Sequence, residues 1–200
     1  DMLVAEGVEC VPLDVQDLKL HNEVTGSTLV MFEMMQSLPT YAKARGLSMD
    51  TLLAGVGSPD VALLLSRQCS HDRVTATAYA AALSRRQKLQ AAYARHFADH
   101  RLDALVFPTC FMTAPPIGHD DTVHLHGQQV PTFKTLIRNT DPGSNAGLPG
   151  ISIPAGLTTD GLPVGLELDG ALGTDRHILA VAAAIERALP RMPPPPLAYA

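Results

Sequence analysis

Imidazole, thiol and carboxylate side chains ligate metals and move protons near neutral pH. They gather most densely in this sequence at His119-Asp120-Asp121, His124 and His126. Such a set could hold a cation that activates water for hydrolysis. No second ligand pair stands at a diagnostic spacing, so a solvated loop is the commoner outcome and a metal-dependent hydrolase the weaker reading. His96 and His100 stand four apart, close enough to share a helix face, but Phe97 sits where the HExxH pattern needs its general-base Glu. Cys110 follows an apolar run and has His119 downstream, without the local signature of a thiol nucleophile. The glycine-rich stretch Gly143-Ser144-Asn145-Ala146-Gly147-Leu148-Pro149-Gly150 leads into a strand rather than from strand to helix. It also lacks the GK[ST] ending of a phosphate cradle, and the chain has no GxSxG elbow. No cofactor and no resident metal are expected.

The elements that must position these groups read as α/β. Residues 1–7 have the look of the last turns of a helix begun upstream and stopped by Gly7. Residues 8–15 alternate like a half-buried strand that Pro12 confines to an edge. From about 20 to 45 a helix is expected, with Leu29, Met31, Phe32, Met34, Met35 and Leu38 on one side and a kink or break at Pro39. Ser58-Pro59 is a helix start leading into 61–65. An Ala-rich helix should run from about 72 to 100. The apolar run 103–108, ended by Pro, has the form of a buried strand delivering a loop. That loop, 109 to about 129, reads as long and structureless, a length more often functional than incidental. Residues 150–157 and 162–168 are two strands joined through Asp160-Gly161, a strong hairpin signal, so they should be antiparallel neighbours in a mixed sheet. A last helix, 175–189, places Ile178, Val181, Ala182, Ile185 and Leu189 on one stripe.

Composition narrows the function classes. The 200 residues are 46% hydrophobic and 18% charged with both signs interspersed, which excludes disorder as the main state. A net charge of −5 gives no footprint for nucleic acid or an anionic membrane, and 4% aromatics without Trp give no base-stacking platform. No apolar run reaches the roughly 18 residues of a membrane span. Cys10, Cys69 and Cys110 are far apart and form no CxxC pair, which fits a reducing, cytoplasmic setting. The chain lacks an initiator Met, so a fragment is expected, whereas Pro193 to Pro196 and the residues after them read as a Pro-rich terminal tail, 193–200, behind one domain, 1–192.

Four segments carry more than periodicity. Asp103-Ala104-Leu105-Val106-Phe107-Pro108-Thr109, then Ala114-Pro115-Pro116-Ile117-Gly118, then Arg138-Asn139-Thr140 through residues 146–156, and finally Asp160-Gly161-Leu162-Pro163-Val164-Gly165-Leu166-Glu167-Leu168 resemble, in order and spacing, the C-terminal half of the amidase signature family. The resemblance implies an α/β/α sandwich on a mixed β-sheet, of which this chain supplies the C-terminal portion. It implies hydrolysis of a carboxamide to acid and ammonia through a Ser acyl-enzyme, with a second Ser and a Lys as base. That chemistry is physically reasonable, because a hydroxyl becomes a competent nucleophile only when a neighbouring base takes its proton. The family's Gly- and Ser-rich catalytic signature lies upstream of this region and is absent here. Lys19, Lys43, Lys88 and Lys134 match neither the position nor the setting of the catalytic lysine, so no catalytic residue is assigned in this chain. In relatives this half shapes the substrate pocket, which makes Asn139, Thr140, Ser144, Asn145 and the loop beginning at Thr109 substrate-binding candidates. The segment 142–150 is most similar to that of enzymes acting on aryl-acetamides, such as indoleacetamide and mandelamide hydrolases.

Two readings follow. In the first, the chain is part of an amide hydrolase, inactive alone, whose partners are a small-molecule amide and the missing N-terminal half. In the second, it is a non-catalytic binding or regulatory subunit that keeps half of the fold. Self-association is expected in either case, since half a sheet exposes a strand edge and an apolar face.

Overall fold

The computed structural model describes residues 2–23 and 25–194, so the expected tail lies outside the described residues from 195 onward. The chain divides into two compact units, Lys19–Leu89 and the pair Asp1–Leu18 with Gln90–Ala200.

The first unit is helical. The single helix expected near 20–45 is two, α2 (Gln16–Asn22), which begins in the other unit, and α3 (Gly26–Ala44). Thr25 between them is fully buried and donates its hydroxyl to the His21 carbonyl at 2.7 Å. α3 continues through Pro39, which leaves the carbonyl one turn back without its N–H partner. Phe32 of α3 stacks on Tyr79 with ring centroids 4.2 Å apart. α4 (Met49–Ala54) starts at Ser48, whose hydroxyl accepts from the Thr51 N–H. α5 (Pro59–Gln68) starts at the expected Ser-Pro pair. α6 (Ala76–His100) begins four residues later than the sequence suggests, at a turn where the Thr75 hydroxyl accepts from the Ala78 N–H and so serves an otherwise unpaired helix donor.

The second unit holds the C-terminal part of α6 and all the described strands. Its sheet has the order β1 (Leu105–Pro108), β5 (Pro163–Asp169), β4 (Gly150–Leu157). The β4–β5 hairpin forms as expected. Gly161 takes φ +81° in its turn, a backbone region open to glycine without strain, and the Thr158 N–H donates to the Leu162 carbonyl at 2.8 Å. Both described pairings of this sheet are antiparallel. On one face, Ile153 and Leu168 bury against Ile178, Ala182 and Ile185 of α9 (Asp175–Ala188), with Ile151, Leu166 and Val181 around them. This is the helical stripe read from the sequence, packed on the alternate residues of two strands.

Three expectations are corrected. Residues 8–15 form no strand, and Val8, Val11 and Val15 are exposed. Alternation supplies a face, but a strand also needs a neighbour to complete its ladder, and none of the described strands pairs with this segment. The loop after Thr109 is not structureless, because β2 (Thr122–Leu125) and β3 (Gln128–Pro131) pair across His126 and Gly127. Both turn residues have positive φ, +48° and +79°, as a tight hairpin turn requires. The stretch 143–150 is not all loop. Asp141-Pro142 starts a short helix, α8 (Asp141–Ala146), which Gly147 ends at φ +79°. Between β3 and α8 lies α7 (Thr132–Leu136), and near the N-terminus α1 (Met2–Ala5) is the expected helix end. Among the described residues no helix is long and apolar enough to cross a membrane.

Candidate functional site

β5 has two characters. Leu166 and Leu168 point to α9, so Gly165, Glu167 and Asp169 point to the opposite face. Glu167 lies between its cross-strand partners Phe107 on β1 and Ser152 on β4. Just past β1 the Thr109 N–H extends the ladder to the Gly165 carbonyl at 3.0 Å, which brings the Thr109 hydroxyl over the same face. The Thr109 and Ser152 hydroxyl oxygens lie 2.5 Å apart. A hydroxyl has one proton to give and lone pairs to receive with, so Ser152 and Thr109 form a short row of hydroxyls beside the buried Glu167, the cross-strand partner of Ser152.

Glycines make the row possible. A Cβ at Gly165 would stand 2.7 Å from the Thr109 hydroxyl oxygen and 2.8 Å from that of Ser152. At Gly150 it would stand 2.9 Å from Asp169 Oδ1 and 3.0 Å from Glu167 Oε1. At Gly143, on α8, it would collide with Asp169 Oδ2. The backbone therefore closes over two carboxyl groups that are 8% and 4% exposed, Glu167 and Asp169. Burial raises the pKa of Glu167, and the Thr109 hydroxyl bond works in the other direction. Burial, then the neighbouring Glu167, push Asp169 up to about 7. Asp169 Oδ2 has no hydrogen-bond partner among the described residues. A buried carboxyl in that position favours its neutral form. The row ends at Ser152, which is exposed.

Beside it, an apolar cavity of about 620 Å³ is lined by Tyr93, Ala94, Phe97 and Ala98 of α6 with Leu148 and Leu172. Tyr93 links the two features. Burial raises its phenol pKa first, and the charges of Asp169, Asp141 and Asp17 raise it further. Gln90 Nε2 donates to the Ala146 carbonyl at 2.8 Å and ties α6 to the end of α8.

The candidates named from the resemblance flank this face. Asn139 Nδ2 donates to the Pro108 carbonyl at 2.8 Å, so it staples the 137–140 turn to the end of β1. Thr140 directly precedes α8 and turns its hydroxyl to the Ile137 carbonyl at 3.3 Å. Ser144 is exposed on α8, whereas Asn145 is 8% exposed. Phe111, in the loop after β1, carries the Arg138 guanidinium 4.1 Å above its ring. Among the described residues no group of three His, Cys, Asp or Glu side chains is placed to hold a metal ion. His124 lies on β2 and His126 in the hairpin turn, while His96 bonds instead to Asp17 at 2.9 Å. Cys110 is free and exposed.

Glu167 and Asp169 were the residues missed by reading the sequence for motifs. A signal was there, since two acids two apart in an otherwise apolar strand must share one face. Their burial and the orphaned oxygen could not be read from it.

The profile described as Amidase matches residues 1–179. The chain is 40% identical over 191 residues to the indoleacetamide hydrolase of Agrobacterium vitis, covering 94% of this chain and 41% of that one. It is 34% identical to the mandelamide hydrolase of Pseudomonas putida, covering 96% and 39%. Native peptide amidase from Stenotrophomonas maltophilia shares the fold, with a TM-score of 0.66 at 22% identity, over 97% of this chain and 39% of that one. The chain spans about two fifths of the length of these relatives.

Proposed function

This chain belongs to the Amidase family, and on that premise we propose that it is the C-terminal portion of a hydrolase that cleaves a carboxamide to acid and ammonia. The observation that carries the reading is the 40% identity to an indoleacetamide hydrolase sustained over 94% of the chain while only 41% of that relative is spanned. The nucleophilic Ser, the second Ser and the base Lys of an acyl-enzyme route then belong to the rest of the protein. The chain alone is inactive in this reading, and its partners are the missing portion and an aryl-acetamide of the kind that the relatives' names indicate. A reducing, cytoplasmic setting goes with it, since Cys10, Cys69 and Cys110 are free.

The test is ammonia release from phenylacetamide and indole-3-acetamide. The intact protein should release ammonia with one acid formed per ammonia, and the purified 200-residue chain should release none. Turnover by the 200-residue chain with its own serines would sink the assignment of catalysis to the missing portion. Inactivity of the intact protein on every primary amide tried would overturn the hydrolase itself.

A further inference from the structure

The Asp169 carboxyl is enclosed by two pieces of backbone that are held with unequal firmness. It is 4% exposed, and its Oδ2 has no hydrogen-bond partner among the described residues. Gly150 closes over Oδ1 from β4, where it stands opposite Asp169 in the ladder, so that wall cannot move without breaking strand pairing. Gly143 closes over Oδ2 from α8, a helix of only six residues. The far end of α8 is tied down, because Gln90 Nε2 donates to the Ala146 carbonyl at 2.8 Å and Gly147 turns the chain there at φ +79°. A neutral carboxyl is tolerated in such a place, whereas an ionised one without partners must gain water or a donor. The wall free to yield is the Gly143 part of α8. We propose that Asp169 is a proton-operated latch on α8, its neutral carboxyl letting the helix lie on the sheet through Gly143 and its ionised carboxyl lifting the helix to admit water.

The titratable groups on the surrounding elements are acids and a phenol. Glu167 stands two residues away on the same face of β5, Asp141 is the one titratable residue of α8, and β1 and β4 contribute none. From α6 comes Tyr93, whose phenol lies in the fields of both Asp169 and Asp141. Arg95 and His96 of α6 turn instead to Asp17, at 2.7 and 2.9 Å. Asp169 forms no ion pair among the described residues. Burial, then the neighbouring Glu167, push it up to about 7, which puts the release of the latch in the neutral range. Ser144 and Asn145 ride on α8, so on the amide-hydrolase reading the latch also sets where these two substrate-binding candidates lie.

The test needs no substrate, so the latch and the hydrolase reading can fail separately. Amide hydrogen exchange of the intact protein is followed by mass spectrometry at pH 6 and pH 8, each rate divided by its intrinsic rate at that pH. Wild type, Asp169→Asn and Glu167→Gln are compared, each checked for folding by circular dichroism. In wild type the amides of α8 should open about tenfold more often at pH 8 than at pH 6, the factor for one proton that the closed form holds up to about pH 7 and the open form releases. This should occur over a period in which β4 and β5 stay unexchanged. Asp169→Asn, whose side chain carries no charge at either pH, should show equal α8 protection at both. Glu167→Gln, which removes the neighbouring charge, should move the loosening of α8 to higher pH if that charge opposes it and to lower pH if it assists; the latch requires the shift to lower pH, since Asp169 then ionises sooner. Equal α8 protection at both pH values in wild type overturns the proposal, and so does a pH dependence that survives in Asp169→Asn or an α8 that exchanges only together with the strands. A working latch in a protein that releases no ammonia would overturn the hydrolase reading and leave the latch standing.

Discussion

The two faces of one three-stranded sheet are built on opposite principles. Toward α9, Ile153 and Leu168 meet Ile178, Ala182 and Ile185 in an apolar cluster. On the other side, two acids are pressed under glycines, one carboxyl oxygen has no hydrogen-bond partner among the described residues, and a hydroxyl row ends at an exposed Ser. Burial of apolar surface favours folding without further partners, whereas a buried acid costs stability unless something compensates it. A face that keeps such an arrangement is organised for a task other than stability. The α9 face is the scaffold, and the Glu167 face carries the buried acids.

The contrast is broken most strongly from the scaffold side. Leu168 is fully buried, so Leu168→Ala should cost about 2–5 kcal/mol in denaturant unfolding of the intact protein. A loss below about 1 kcal/mol would mean that the apolar face is not what holds the sheet. On the polar face, Gly143→Ala should cost about 1–3 kcal/mol, because the new methyl collides with the Asp169 carboxyl. In a double-mutant cycle Asp169→Ala should relieve much of that loss, and simple additivity would show that the collision is elsewhere.

A further effect is a slope with pH. Asp169 has a native pKa of about 7 against an ordinary 3.8, so the native state holds a proton that the unfolded chain releases. This contribution is present in full below about pH 4 and is lost as pH rises through about 7. Unfolding followed between pH 4 and 8 should show wild type losing stability relative to Asp169→Asn, whose side chain does not titrate. Parallel curves for the two proteins would remove Asp169 from the account.

Much of this was legible in the chain. Asp160-Gly161 between apolar runs fixes the β4–β5 hairpin, and the spacing of Ile178, Ala182 and Ile185 fixes the buried stripe of α9. Asp141-Pro142 and Gly147 carry the start and stop signals of α8. His126-Gly127 hid a hairpin turn because Asn, Asp or Gly is the usual residue before the Gly of such a turn. Asn139, Thr140, Ser144 and Asn145 were named by resemblance, and their places beside the sheet edge and on α8 came from the fold.

Signals carried within a few residues of one another are set by the sequence alone: periodicity, turn chemistry, capping, and the family likeness of ordered motifs. Residues 8–15 show the limit, since a strand needs a neighbour that no local pattern supplies. The meeting of Thr109, Ser152 and Glu167 was decided only by tertiary structure. These residues lie on three different segments, and cross-strand register alone brings them to one point. The same holds for Asp169, because its protonation depends on the depth at which Gly143 and Gly150 close over it, a property of packing rather than of neighbours in sequence.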